Sequence, residues 1–209
     1  MGKIEQGILG EFSGKIGPVV GCKGKSGNYI RAHNGNAINP RTQKQQEQRG
    51  RFATAFGFLK TITPFIRIGY AETAQGKTPF NAAMSYIMRK ALKDEGNQTA
   101  IDFNRLMVST GSLMPIFDGT VRISGNCASF EWKNNGGTGN ADDTDSAMLL
   151  VYNKEKEMAT YDMAAATRSE RYAALALPAD WDKDTLICYL GFRSADGNYV
   201  SNSLRLKRE

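Results

Sequence analysis

The sequence predicts an α+β protein in two parts: a small basic N-terminal unit over residues 1–97 and an antiparallel β-sandwich over residues 98–209. Three observations predict it. Residues 12–32 are short apolar pieces separated by glycines, residues 42–91 repeat apolar side chains at helical spacing, and beyond residue 98 the repeat falls to two. The charge also changes sign along the chain. Residues 1–93 hold 15 Lys/Arg and 4 Asp/Glu, whereas residues 94–209 hold 12 and 17, which suggests two units with different surfaces.

In chain order, Ile16–Cys22 and Asn28–Ala32 read as two strands of a hairpin around KGKSG. So many glycines leave little side chain for a core, so this hairpin is expected to lie against something else. Thr42 and Gln45 fit a capping box for a first helix, with Phe52, Phe56 and Leu59 as its apolar stripe and Pro64 as its stop. Gly50 within it costs about 1 kcal/mol of propensity and suggests a kink or a close approach. Thr78-Pro79 opens a second helix, with Phe80, Met84, Ile87 and Ala91 on one face and Lys90 and Lys93 in its last turn.

The sandwich strands follow. Ala128, Phe130 and Trp132 alternate with polar neighbours, and Met148, Leu150 and Tyr152 oppose Leu149 and Val151. Leu186, Cys188, Leu190 and Phe192 share a face, SADGN is a hairpin turn, and Val200, Leu204 and Leu206 face one way in the last strand. With a strand near Val121, six or seven short strands in about 95 residues argue for an antiparallel sandwich rather than crossover helices.

Composition excludes several classes. With 41% hydrophobic and 23% charged residues the chain is globular rather than disordered. No leader-like segment and no bilayer-length apolar run are present, which predicts a cytoplasmic or otherwise intracellular protein without a membrane partner. Three cysteines, Cys22, Cys127 and Cys188, lack metal-ligand spacing and read as buried thiols. One histidine, His33, rules out a multi-histidine metal site. GCKGKSG resembles a phosphate loop only in part: Val19 stands where the motif needs glycine, and no helix follows Ser26. ADDTD, with Asp142, Asp143 and Asp145, lacks the glycine and glutamate of a calcium loop and reads as a solvated acidic loop. Acid–base pairs such as Glu170 with Asp180, or Asp182 with Asp184, carry almost no signal. The expectation is no enzyme, no cofactor and no metal.

What remains is the basic tract. Lys15, Lys23, Lys25, Arg31, Arg41, Lys44, Arg49 and Arg51 fall within 37 residues. If they converge they can hold a phosphate backbone, with Tyr29 stacking on a base. The candidate anion or nucleic-acid contacts are therefore Lys23, Lys25, Tyr29, Arg31, Arg41, Arg49 and Arg51. The plainer account makes them the wet faces of a hairpin and a helix.

The start MGKIEQGILGEFSGKIGPVVGCKGKSGNYIR, the block NPRTQKQQEQRGRF and the closing YLGFRSADGNYVSNSLRL resemble an uncharacterised family of Bacteroidetes proteins, a domain of unknown function with a glycine-rich FSGKxGxVVG start. The resemblance covers essentially the whole chain and implies no activity or residue roles. Members commonly have a bulky residue where this chain has CKGKSG. The NPRTQKQQEQRGRF block is also similar to pieces of small phage-encoded structural proteins, which implies particle assembly. The C-terminal part resembles immunoglobulin or fibronectin type III modules, which usually serve as spacers or docking surfaces. The leading expectation is thus a non-enzymatic structural or protein-interaction module that binds a protein partner or itself. The alternative is a nucleic-acid-associated protein using the basic tract.

Overall fold

The computed structural model describes residues 3–4, 12–24, 27–35, 41–96, 98–181 and 183–208. The chain divides into two compact units, Met1–Gln46 and Glu47–Glu209. The division expected after residue 97 thus moves to residue 46.

In the first unit β1 (Lys3–Ile4), β2 (Phe12–Ile16), β3 (Val19–Cys22) and β4 (Tyr29–Ala32) form an antiparallel sheet in sequence order. The strand expected over Ile16–Cys22 is broken at Gly17-Pro18, where Gly17 takes φ 56° and proline has no N–H for the ladder. A Cβ on Gly21 would meet the Phe12 carbonyl and ring, so glycine there lets the ring cover the strand. Of β2–β4, only Gly21 is buried.

The second unit opens within α1 (Gln43–Thr61), whose first turn precedes Glu47, and continues with α2 (Thr63–Gly69) and α3 (Pro79–Lys90). Thr42 Oγ1 accepts the Gln45 N–H at 3.4 Å, and Thr78 Oγ1 accepts that of Asn81 at 3.2 Å, as the capping residues foretold. Pro64 does more than stop α1. It occupies the first turn of α2, where its missing N–H costs nothing. Gly50 marks no close approach, because a Cβ there would meet open space. The stripe of α1 is rotated from the expected one. Ala55, Phe58, Leu59 and Ile62 are buried, while Phe52 and Phe56 lie at the surface, stacked at 6.2 Å, with Phe56 edge-on to Phe80 at 5.7 Å. Apolar residues 52, 56 and 59 fit one helical stripe and 55, 58, 59 and 62 another, and the second is the denser. Lys93 lies beyond the last turn of α3, in a hairpin of β5 (Leu92–Glu95) and β6 (Gln98–Ile101).

Seven further strands follow: β7 (Gly119–Ser124), β8 (Cys127–Trp132), β9 (Ser146–Asn153), β10 (Met158–Asp162), β11 (Tyr172–Ala176), β12 (Leu186–Arg193) and β13 (Leu204–Arg208). They form one sheet ordered β10-β9-β12-β13-β7-β8-β11. All its pairs are antiparallel except β13–β7, which is parallel and joined through Lys207↔Thr120 and Arg208↔Val121. The sheet curls so far that β10 and β11 come together, close to a barrel. Val200 precedes the last strand and bridges Arg193 instead.

Alternation along β9 and β12 builds two cores. Leu149, Val151, Cys188, Leu190 and Phe192 point inward to Val121, Phe130, Trp132 and Leu206. Met148, Leu150, Tyr152, Ile187 and Tyr189 point outward and are covered by Phe58, Leu59, Ile62, Phe65 and Ile87 of the helical layer. Each fully buried side chain of this size contributes about 1.5–3 kcal/mol. That outer row explains why the helices belong with the sheet rather than in the basic unit: uncovered, it would expose five large apolar residues. Among the described residues no helix is long and apolar enough to cross a membrane.

Candidate functional site

The residues singled out in the sequence do not all meet. In the N-terminal sheet, register pairs Lys15 with Val20, Val20 with Arg31, and Cys22 with Tyr29, so Lys15, Arg31 and Tyr29 share one face. All three are exposed, Tyr29 to 56%. Lys23 follows β3 at the surface, and Lys25 lies outside the described residues. His33 is also exposed. Arg41 adopts a left-handed conformation (φ 49°) just before α1, and its carbonyl accepts from Gln46 Nε2 at 3.1 Å. Arg49 and Arg51 fall in the second unit. Arg51 is engaged there: its Nη1 lies 3.0 Å from Asp94 Oδ1.

The second unit carries a different concentration of cations, in a cleft of about 900 Å³ between α3 and β13. Arg89 and Lys90 end α3, Arg105 projects from the segment after β6, and Arg205, Lys207 and Arg208 come from β13. All six are exposed. Pairing Tyr189 with Arg205 places Arg205 and Lys207 on the outer, helix-bearing face of the sheet, one strand beyond β12 and the cover of the helical layer. The opposite wall is braced by tyrosines. Tyr86 and Tyr189 donate to the carbonyls of Arg105 and Phe103, both at 2.8 Å, and Tyr70 donates to that of Met107 at 2.9 Å. Burial pushes the Tyr86, Tyr70 and Tyr189 hydroxyls above their ordinary value, so they remain donors. Lys90 Nζ sits 5.7 Å from the Tyr86 ring centroid, and Arg205 donates to Asn104 Oδ1. Among the described residues, only Asp102, 3.6 Å from Arg105, pairs a carboxylate with these six. The acidic balance of residues 94–209 masks this cluster in the sequence, because it outweighs LRLKR at positions 204–208. That tract beside MRK at 88–90 was the available signal.

The acidic candidates have structural partners. Asp145 is buried rather than solvated: Arg168 reaches its Oδ2 through Nε at 3.1 Å and Nη2 at 3.0 Å. Arg168, fully buried, also donates to Asn135 Oδ1 at 2.6 Å and the Met114 carbonyl at 3.0 Å, and stacks 4.1 Å over Phe192. Asp142 and Asp143 stay exposed, and Asp143 accepts from Asn134 at 2.7 Å. Asp180 and Asp184 share Lys156, at 2.8 and 2.9 Å; Lys156 holds the Asp180 carboxyl below its ordinary range, and the hydrogen bond from Asn153, with Lys156 second, does the same for Asp184. Asp182 lies outside the described residues. Of the cysteines only Cys188 is buried. Cys22 and Cys127 are half-exposed, since the N-terminal sheet has no core and Cys127 opens β8 at the turn from β7.

The chain belongs to a family of unknown function (DUF6266), whose profile matches residues 11–207. No curated protein and no solved structure matches it.

Proposed function

We propose that this member of the family is a non-enzymatic structural or protein-interaction module, an assembly component that joins a second copy of itself through β4. The observation that carries the reading is the state of that strand. It ends the N-terminal sheet, all four of its residues are exposed, and Ile30 is 63% exposed. Among the described residues β4 pairs only with β3, so its outer backbone groups can accept another strand. An antiparallel pairing centred on Ile30 sets Ile30 against its copy on one face. On the other face it sets Tyr29 against Arg31 of the second copy, twice by symmetry, a cation–π pairing worth about 0.5–1 kcal/mol each.

We also propose that the curled sheet is an immunoglobulin or fibronectin type III-like sandwich. The support is its strand order, three strands (β7-β8-β11) facing four (β10-β9-β12-β13) around one core. A spacer role suits such a module. The reading in which residues 15–51 grip nucleic acid has weaker support, the shared face of Lys15, Arg31 and Tyr29.

Light scattering across concentration tests the assembly. The expected mass is twice the 22.9 kDa of one chain, falling to one chain for Ile30→Asp with an unchanged unfolding curve. The range should reach about 1 mM, where an association of only about 4 kcal/mol still registers. A single-chain mass throughout, or an Ile30→Asp protein that still pairs, overturns the proposal.

A further inference from the structure

We infer that the cleft between α3 and β13 binds the phosphate backbone of single-stranded nucleic acid, with little preference for sequence. This goes beyond the assembly reading and does not rest on it. Six exposed cations line one concave surface, and Asp102 is the one carboxylate among the described residues that pairs with any of them. A cleft with a single sign of charge and low-dielectric walls concentrates anions. Four of the six are arginines, whose planar guanidinium forks match phosphate oxygens in pairs. Along β13, Arg205 and Lys207 project from the same face about 6.6 Å apart, a ladder of charge rather than a single anion hole.

The cleft suits a strand better than a duplex or a peptide. Its volume of about 900 Å³ has room for a few nucleotides of one strand, less than a turn of double helix would fill. A peptide would need a free strand edge or an apolar anchor. At Lys207 and Arg208 the strand is already paired with β7, and Leu106, Ile187 and Leu206 of the lining are all at least 94% buried. The polymer must therefore be one that carries its charge regularly along its backbone. Tyr86 offers no stacking platform, because its hydroxyl is committed to the Arg105 carbonyl and its ring to Lys90. Bases are thus left unread.

The test is fluorescence anisotropy of the full-length chain with labelled 12-nucleotide oligo-dT and oligo-U at 50 and 200 mM salt. Two charge-reversal pairs, Arg205→Glu with Lys207→Glu and Arg89→Glu with Lys90→Glu, sample opposite walls. All four side chains are exposed, and circular dichroism verifies the fold of each pair. The expected wild-type result is comparable binding of both oligomers, weakening with salt at roughly −0.7 log units per log unit for each phosphate held. Each pair should lower affinity at least tenfold and flatten that slope by about 1.4. Lys15→Glu, on the N-terminal sheet, should leave binding unchanged. Absent binding at 50 mM salt, wild-type affinity in both cleft variants, or loss confined to the N-terminal variant overturns the inference. Equally tight binding of a poly-glutamate peptide or a duplex of the same length also overturns it.

Discussion

Removing the Asp145 carboxylate should be among the most damaging single changes in this protein. In Asp145→Ala, Arg168 keeps its full charge in a fully buried position and keeps Asn135, the Met114 carbonyl and the Phe192 face, but loses both contacts to Oδ2. Burial already draws the guanidinium pKa down, and the neighbouring carboxylate opposes that pull. The backbone N–H of Asp142, which donates to the same oxygen at 3.0 Å, loses its acceptor too. Breaking one side of a buried pair costs about 3–5 kcal/mol, a large share of the 5–15 kcal/mol, roughly, that holds a domain together. With a urea slope of about 2 kcal/mol/M, the midpoint should fall by about 2 M. Trp132, whose indole N–H donates to the Arg168 carbonyl, and Trp181 both lie in the inner core, so tryptophan fluorescence follows the transition. Arg168→Met alone should cost a similar amount by stranding the carboxylate. The double variant should cost clearly less than the sum, because neither charge is left behind. A loss below about 1 kcal/mol for Asp145→Ala, or strict additivity in the double variant, would mean that the two buried charges do not depend on each other.

Two further expectations concern thiols and glycines. Cys22 and Cys127 should react with a thiol reagent in the native protein, whereas Cys188, whose thiol burial pushes up to about 12, should react only after unfolding. The same shift makes stability fall as pH rises from 9.0 toward about 12, since only the unfolded chain ionises this thiol there. Cys188→Ala should make that limb shallower by the share of one thiol, the buried tyrosines supplying the rest above pH 10.0, and an unchanged limb would assign all of it to them. Gly57→Ala should stabilise α1 by up to about 1 kcal/mol, because a Cβ there meets open space. Gly69→Ala should cost about 1–3 kcal/mol, because its Cβ would stand 2.6 Å from the Val108 carbonyl oxygen. Thermal melts of the two variants check the opposite signs.

Local rules carried much of the architecture. Thr78-Pro79 opened α3 where the cap chemistry required, and the opposed apolar rows of β9 were visible as Met148, Leu150 and Tyr152 against Leu149 and Val151. What those rows meant was not visible, because a strand apolar on both faces says nothing of what covers each face. The helices provided the cover, and a boundary drawn by charge and period at residue 97 therefore fell inside one unit. Phe52 and Phe56 misled for a related reason: two apolar stripes were available on α1, and tertiary packing chose between them. The sequence places Asp145 with its neighbours in a wet loop because its partner Arg168 lies 23 residues away, beyond any local pattern. The cationic cleft is hidden for the same cause, although MRK and LRLKR each mark one of its walls. It is assembled from the end of a helix, a loop and the last strand, each unremarkable alone.

The two-faced character of β9 and β12 also bears on how the chain is made. Phe58 packs edge-on against Tyr152 at 4.9 Å, yet 94 positions separate them. At about 5–20 residues per second, a ribosome needs roughly 5–20 s to bridge that gap. For that interval α1–α3 emerge with their apolar stripes facing nothing, and the N-terminal sheet is already out. Overproduction should therefore favour inclusion bodies at high translation rates, and slower synthesis or a holdase that shields residues 55–87 should raise the yield of folded protein.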